Sequence, residues 1–262
     1  MRTRISTPRK VAAVVVAAIL LAFASLAVAR LVSERSNTTQ SSTIQSTSGP
    51  TSSPGLSDAL RDSDDSVDIV VIGDDAGKSV GGWLTLVAQG LGIEHDRSVD
   101  VRDWDLERGS NYLPPVRLWD APGAPVTIWN VSVARNIDFL LDAIPRALPD
   151  VDSPVDAVMI DTGLMQAPQT LARETMLLAR TAQEQFDTAE VIVLVQPVAE
   201  SSLRRSRDDV GYSARKNGFG VVDVGVAFDN VESGELFNPG VGYPSVDGAR
   251  IWADTVVGYL SS

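Results

Sequence analysis

Residues 67–77 read VDIVVIGDDAG, and this stretch decides the fold. Its first six residues are almost all aliphatic and mostly β-branched, and the run ends abruptly at Gly73, Asp74 and Asp75. A short apolar run bounded by turn residues is typical of a strand that is buried on both faces. Residues Gly82–Leu91 follow with apolar side chains at helical spacing. The stretch therefore predicts a central strand, a polar turn and a covering helix.

The same alternation continues outward to the C-terminus. Further strands are predicted at Val99–Trp104, Val126–Trp129, Val155–Ile160, Val191–Val195 and Phe219–Val224. Further helices are predicted at Ile137–Leu148, Thr170–Phe186, Ser201–Lys216 and Asp247–Leu260. Apolar strands that alternate with helices indicate an α/β fold, a three-layer, doubly wound, flavodoxin-like parallel sheet. We assign this domain to residues 66–262.

In a sheet of this kind, the functional site lies beyond the carboxyl ends of the strands. Four segments occupy such ends or the loop before the last helix: Gly73–Gly77, Asn130–Ala134, Asp161–Met165 and Gly240–Pro244. Seven residues of these segments form the candidate site, namely Gly73, Asp74, Asp75, Asn130, Ser132, Gly163 and Tyr243.

These segments resemble the sequence blocks of the SGNH/GDSL hydrolase family. VVIGDDAG is similar to the first block, Gly-Asp-Ser, and NVSVA at 130–134 is similar to the second, Asn-x-Ser-x-Gly. DAVMIDTGLM at 156–165 is similar to the third block, Asp-x-Val-x-Ile-x-x-Gly-x-Asn. YPSVDG at 243–248 is similar to the last block, His-Pro-Asn-x-x-Gly. The resemblance covers residues 67–260 and implies an esterase-like hydrolase fold.

The resemblance also implies where the family's catalytic residues should be, and this chain departs from the pattern at each one. The nucleophilic serine position holds Asp75, and the oxyanion-hole glycine and asparagine positions hold Ala134 and Met165. The histidine position holds Tyr243, and the aspartate position three residues before it holds Gly240. A serine hydroxyl needs a neighbouring base to become nucleophilic. We therefore expect a catalytically degenerate member of the family.

Three alternatives remain open from the sequence. An active esterase could use another hydroxyl, Ser79 or Ser132, with His95, the only histidine of the chain. The domain could instead be a structural ectodomain, or one stabilised by a divalent metal at an oxygen-rich site of Asp74, Asp75 and Asp161. In the simplest alternative, Asp74 caps the turn and Asp75 is solvated or paired. One such pairing is a hydrogen bond from the Tyr243 hydroxyl to the Asp75 carboxylate, which would replace the serine–histidine contact. No cofactor is expected.

The first 65 residues differ in composition from the domain. Residues 1–10 form a basic tail, and 11–32 contain a 19-residue uncharged run that is long enough to cross a bilayer. Positive residues before this run predict that the domain lies outside the cytoplasm. Residues 33–65 are rich in Ser and Thr and predict a flexible linker. We expect a single-pass cell-membrane protein, or a secreted one if the chain is cleaved at Ala27-Val28-Ala29.

Composition excludes several functions. The chain has no cysteine, so disulfides and cysteine chemistry are excluded, and one histidine cannot build a His-rich zinc site. A net charge of −12 argues against nucleic acid as a partner. The expected partners are the membrane and a cell-envelope glycan, acyl group or protein. Trp104, Tyr112, Trp119 and Trp129 could stack on sugars or pack in the core, whereas Trp83 and Trp252 are predicted to be packing residues.

Overall fold

The computed structural model describes residues 55–62, 64–78, 81–105, 112–147, 154–163, 166–231, 236–238 and 242–262. The predicted basic tail, membrane helix and most of the predicted linker lie outside these residues. Within them, no helix combines the length and the apolar character that crossing a bilayer requires.

Seven strands form one sheet, in the spatial order β3-β2-β4-β1-β5-β6-β7. Six strands are parallel, and β3 pairs antiparallel with β2 at one edge. The strands are β1 Val67–Gly73, β2 Arg97–Asp103, β3 Val116–Trp119, β4 Gly123–Ser132, β5 Ala157–Thr162, β6 Glu190–Val195 and β7 Gly220–Val222. The predicted parallel sheet is confirmed, with an additional antiparallel edge strand.

In the described part of the chain, seven α-helices cover the two faces of the sheet. They are α1 Leu56–Arg61, α2 Trp83–His95, α3 Ile137–Ala147, α4 Leu171–Gln185, α5 Arg204–Lys216, α6 Val224–Asp229 and α7 Val246–Leu260. Helices α1, α2, α6 and α7 pack on one face, and α3, α4 and α5 pack on the other. Successive residues of β1 alternate between these two cores, since Ile69 and Val71 belong to the first and Val70 and Ile72 to the second. This alternation produces the three layers.

The domain begins earlier than the predicted boundary at residue 66. Helix α1 lies inside the predicted linker, and its Leu56 and Leu60 are buried in the core. The guanidinium of Arg97, at the start of β2, is fully buried and holds this segment in place. It donates hydrogen bonds to the carbonyls of Ala59 (2.8 Å), Asp62 (3.0 Å) and Asp65. A boundary at 66 would separate these acceptors from their donor.

Candidate functional site

The strand ends predicted to carry the site meet at the carboxyl edge of the sheet. Gly73, the last residue of β1, is in register with Ser132 of β4 on one side and with Asp161 of β5 on the other. The Val133 amide donates to the Gly73 carbonyl at 3.0 Å, and the Asp74 amide donates to the Asp161 carbonyl at 2.9 Å. The parallel pairing thus continues past the ends of the strands and brings the polar turns side by side.

Two glycines of the site are required by close approach. A Cβ atom at Gly73 would collide with the carbonyl oxygen of Asp161. A Cβ atom at Gly163 would collide with the side-chain oxygen of Gln196. Both glycines therefore allow neighbouring strand ends to pack without a gap.

Asp75 and Tyr243, the positions that align with the family's serine and histidine, are in direct contact. The Tyr243 hydroxyl donates a hydrogen bond to Asp75 Oδ1 at 2.7 Å, as expected from the sequence. This bond, followed by partial burial, raises the pKa of Tyr243 to about 12, because the carboxylate stabilises the protonated phenol. The pair is therefore a static contact between a carboxylate and a neutral phenol at neutral pH.

Tyr243 is positioned by the turn before α7. The Asn238 amide donates to the Tyr243 carbonyl at 2.8 Å, and the Asn238 side chain donates to the Pro244 carbonyl at 2.8 Å. Ser245 then caps α7 by accepting a hydrogen bond from the Gly248 amide at 3.2 Å. The pair lies in an open cleft of about 560 Å³, whose wall also includes Lys78 and Trp83.

Behind this pair, two fully buried carboxylates share one amide donor. Gln196 Nε2, just beyond β6, donates to Asp74 Oδ2 at 3.0 Å and to Asp161 Oδ1 at 2.7 Å. Burial, and then the negative charge of Asp74, hold the pKa of Asp161 well above its usual range despite the bond from Gln196. The role of Gln196 was not predicted, although this residue also follows a strand end, the position that selected the other candidates.

This arrangement does not favour the predicted metal set of Asp74, Asp75 and Asp161. A cation requires acceptor oxygens that converge, but an N–H donor lies between Asp74 and Asp161, and Asp75 turns to Tyr243. Among the residues that the structure describes, no group of three acidic or histidine side chains is arranged to hold a metal. Asp74 instead caps the turn, since its Oδ1 accepts a hydrogen bond from the Ala76 amide at 3.1 Å.

Asn130 and Ser132 shape the end of β4. The Asn130 side chain accepts from the Ser132 amide at 3.0 Å and donates to Asp103 at 2.7 Å, which fixes the turn. Ser132 Oγ is buried and has no hydrogen-bond partner in the described part of the chain. Ala134, further along the turn, is exposed. Met165, Gly240 and Ser79 lie outside the described residues.

His95 is far from the cleft. It is the last residue of α2, and that helix starts at the cleft with Trp83, so about 18 Å of helix separates them. His95 is half-buried, and its Nε2 lies 2.9 Å from Ser261 Oγ. Burial lowers the pKa of His95. Neither residue lines the cleft.

A second, narrower cavity of about 280 Å³ adjoins the site between the ends of β5 and β6. Thr162, Gly163 and Gln196 form its inner wall, and Gln166 and Gly242 also line it. Its remaining lining is mostly apolar and includes Pro168, Leu171, Val195, Val198, Leu203 and Val210. We call it the Gln166 cavity.

The aromatic residues considered as sugar platforms are packing residues. Tyr112 packs edge-on against Trp104 and Trp129, with ring centroids 5.4 Å and 4.9 Å apart, and both tryptophans are buried. Trp119 is partly buried against the core. Trp83 and Trp252 stack at 5.3 Å in the core, as predicted for packing residues.

Comparison with known proteins supports the fold rather than a particular activity. No protein-family model matches the sequence, and no curated protein matches it significantly. Solved structures do match. One is a lipase/acylhydrolase from Enterococcus faecalis, which is 12% identical with a TM-score of 0.53 and covers 74% of this chain and 95% of its own.

Two other similar structures agree with the first. TesA is 16% identical with a TM-score of 0.51, and covers 74% of this chain and 97% of its own. A lipolytic protein of the G-D-S-L family from Veillonella parvula is 13% identical with a TM-score of 0.52, and covers 73% and 97%. Together with the strand order and the four sequence blocks, these matches show that the domain has the SGNH/GDSL hydrolase fold.

Proposed function

We propose that this protein is a membrane-anchored, extracytoplasmic domain of SGNH/GDSL fold that has lost ester hydrolysis and binds a cell-envelope ligand. The observation that carries the proposal is the 2.7 Å hydrogen bond between Tyr243 and Asp75. A neutral phenol with a pKa of about 12 does not accept a proton at neutral pH, and a carboxylate has no hydroxyl to be activated. The two positions that align with the proton-transfer pair thus hold groups unable to perform that transfer.

The histidine of the chain does not supply the missing base to the site. His95 is the only histidine of the chain. It lies at the end of α2 that is remote from the cleft, where it is hydrogen-bonded to Ser261. Ser132 is the candidate hydroxyl that the structure describes, but its Oγ has no partner among the described residues. A serine without a hydrogen-bonded base remains a weak nucleophile. This favours binding over an esterase with an alternative site.

Among the expected ligands, an apolar group fits the described surface better than a sugar. The Gln166 cavity is mainly apolar and is continuous with strand-end residues of the candidate site. Sugar binding relies on exposed aromatic faces, but Trp83, Trp104, Trp129 and Trp252 are all buried. An acyl or other small apolar group is therefore the ligand that we propose.

Attachment to the membrane is proposed from the sequence. The uncharged run within residues 11–32 follows four basic residues, an arrangement typical of a single helix with its N-terminus in the cytoplasm. An alkaline phosphatase fusion after residue 55, expressed in a bacterial host, should be active, whereas a fusion after residue 10 should be inactive. An inactive fusion at residue 55 would contradict the proposed orientation.

Hydrolysis is tested with p-nitrophenyl acetate, butyrate and octanoate and the purified full chain. We expect wild type, Asp75→Ala and Ser132→Ala to match the protein-free blank, while an active SGNH esterase releases nitrophenol in the same buffer. Turnover by the wild type that Asp75→Ala or Ser132→Ala abolishes would show that the chain is an enzyme.

A further inference from the structure

The wall of the Gln166 cavity contains an accessible polar atom that lacks a hydrogen bond, the side-chain oxygen of Gln196. Gln196 lines the cavity and is only 5% exposed. Its Oε1 accepts no hydrogen bond from the described residues, yet it is not one of the unpaired side-chain atoms that are sealed from solvent, as both amide atoms of Gln166 are. Ligand sites are typically apolar cavities in which a few placed polar groups orient the ligand.

The direction of Gln196 Oε1 is fixed by the nitrogen of the same amide. Gln196 Nε2 donates to Asp74 Oδ2 at 3.0 Å and to Asp161 Oδ1 at 2.7 Å, so both of its N–H groups are used. The oxygen and nitrogen of a planar amide project in different directions, so Oε1 turns away from the two carboxyls. It lies over Gly163, where a Cβ atom would collide with it, and Gly163 lines the same cavity. The acceptor is therefore held in place by two buried hydrogen bonds.

The same two bonds make Oε1 a stronger acceptor. Asp74 and Asp161 are fully buried, so their interactions with Gln196 are not screened by water. Hydrogen bonds in a chain polarise one another, and an N–H group that donates to a carboxylate increases the negative charge on its own amide oxygen. The cavity therefore presents a fixed, polarised acceptor and favours a ligand that donates a hydrogen bond.

The charges around the cavity disfavour an anion. Arg207 lines it, but its guanidinium is already paired with Asp208 and Asp229, both at 2.8 Å. Glu200 adds a negative charge at the wall. Transfer of a carboxylate from water into this space would be unfavourable without a free cation. An ionised fatty acid is therefore a poor ligand.

The remaining polar side chains set no competing requirement. The Thr162 hydroxyl is paired with Thr175 at 2.7 Å, and the hydroxyl of Ser206 can donate or accept. An ester or an ether would leave Gln196 Oε1 unpaired, because neither has a donor. An ammonium group brings three N–H groups and a charge into a mostly apolar space. A hydroxyl group supplies one donor without a charge, so it fits this wall best.

The volume limits the ligand to a small one. An engineered apolar cavity of about 150 Å³ holds benzene, so a cavity of about 280 Å³ holds roughly ten non-hydrogen atoms. We propose that the Gln166 cavity binds a short apolar chain that ends in a hydroxyl group, with the O–H donated to Gln196 Oε1. This proposal deepens the proposed binding function by narrowing its small apolar ligand to an alcohol, and it rests on that function.

The test compares two isomers, hexan-1-ol and 1-methoxypentane, by ligand-observed NMR titration of the full chain. The two probes have the same atoms, but the ether lacks the donor. We expect the wild type to bind hexan-1-ol about fivefold more tightly, since one hydrogen bond contributes about 1 kcal/mol and 1.4 kcal/mol is a factor of ten. Hexanoate should bind more weakly than hexan-1-ol.

Gln196→Met removes the acceptor and should abolish the preference, so that the two isomers bind equally. Because this variant also removes the donor to two buried carboxyls, a second variant keeps Gln196. In Gly163→Ala the new methyl group occupies the space beside Oε1 and should reduce the preference below twofold. Gln183→Leu, an exposed position on α4, is the matched control and should retain the wild-type preference.

Equal affinity of the wild type for the two isomers would overturn the proposal, and this comparison needs no variant. A preference that persists in Gln196→Met or Gly163→Ala, or tighter binding of hexanoate, would also overturn it. Equal binding would leave the small apolar ligand of the proposed function in place, whereas binding of neither isomer would refute that ligand as well. Nitrophenyl turnover in the ester assay would refute only the loss of hydrolysis.

Discussion

The two ends of the sheet differ in how completely their buried polar groups are hydrogen-bonded. At the amino end, the guanidinium of Arg97 is surrounded by main-chain carbonyls and also donates to the Ala124 carbonyl at 2.8 Å. At the carboxyl end, Gln196 alone bridges two buried carboxylates, and Ser132 Oγ and the Gln166 amide have no partner in the described part of the chain. Unsatisfied buried polar groups destabilise a fold. Those at the carboxyl end therefore lower its stability, whereas the paired guanidinium at the amino end does not.

This difference separates the end of the sheet where the Arg97 guanidinium is fully paired from the end where the candidate site lies. Residues that contradict local stability rules are expected mainly at functional sites. The strand ends around Asp75 and Tyr243 do not form an ordinary core. The cleft, the cavity and the buried carboxylates persist around the Asp75–Tyr243 pair.

The largest effect on stability is expected from Arg97→Met at the amino end of the sheet. This change leaves several buried carbonyls without a donor, and hydrogen bonds to a charged group contribute about 1.5–3 kcal/mol each, so we expect a loss of at least ~3 kcal/mol of unfolding free energy. Urea denaturation measures it. Arg117→Met, which removes an exposed pair with Asp100, is the control and should have little effect. Similar losses in both variants would contradict a special role for the amino end.

At the carboxyl end, by contrast, we expect a substitution to increase the free energy of unfolding. Asp161→Asn keeps an acceptor for Gln196 but removes one buried charge. The folded pKa of Asp161 lies above its ordinary value of 3.8, so the native state binds the extra proton. Wild-type stability should therefore fall as pH rises from about 4 through the folded pKa, by up to ~1.4 kcal/mol per pH unit. The asparagine variant should lack this slope and be the more stable protein above that window.

Urea unfolding at successive pH values measures the effect. Asp209→Asn, at an exposed position of α5, should retain the wild-type slope. Parallel pH profiles for wild type and Asp161→Asn would show that the buried carboxylates are not strained.

A smaller effect is expected from Tyr243→Phe. Loss of the partly exposed hydrogen bond to Asp75 should cost about 0.5–1 kcal/mol at neutral pH. The raised pKa of Tyr243 means that this contribution is lost as pH rises from about 10 through 12. An NMR titration of tyrosine labelled at Cζ should place the Tyr243 midpoint near 12 and lower it in Asp75→Asn. An unchanged midpoint in that variant would show that the bond is absent in solution.

The smallest effect should come from Ser261→Ala, which removes the partner of His95 at the amino end. We expect a stability change of about 0.5 kcal/mol, because one half-buried hydrogen bond is lost. Thermal unfolding measures it. A loss as large as that of Arg97→Met would contradict the small contribution expected of this contact.

Much of the fold was predictable because buried strands carry a strong local signal. The run ending at Gly73 and the apolar stripe of α7 both lie where the sequence pattern indicates. Strand β3 was missed because its residues are largely exposed, and α1 was missed because only Leu56 and Leu60 distinguish it from the linker. The predicted strand Phe219–Val224 is shorter, since Asp223 caps α6 and starts a helix at Val224.

The site was predictable where chain-local rules apply and not where distant residues meet. The contact between Asp75 and Tyr243 followed from the block resemblance, despite a separation of 168 residues. The bond from Gln196 to Asp74 spans 122 residues with no motif to indicate it. The unpaired state of Gln166 depends on what surrounds its side chain, which no property of the sequence reports.

The network around Arg97 also determines how the domain would bear mechanical force. If residues 11–32 hold the chain in a membrane, tension along the polypeptide reaches the fold at α1, whose carbonyls Arg97 binds at the amino end of the sheet. The load would pass into β2 and β4 through Arg97 and the Ala124 carbonyl, at the end remote from the cleft. Pulling on the anchor would thus strain the attachment point before it deformed the ligand cavity.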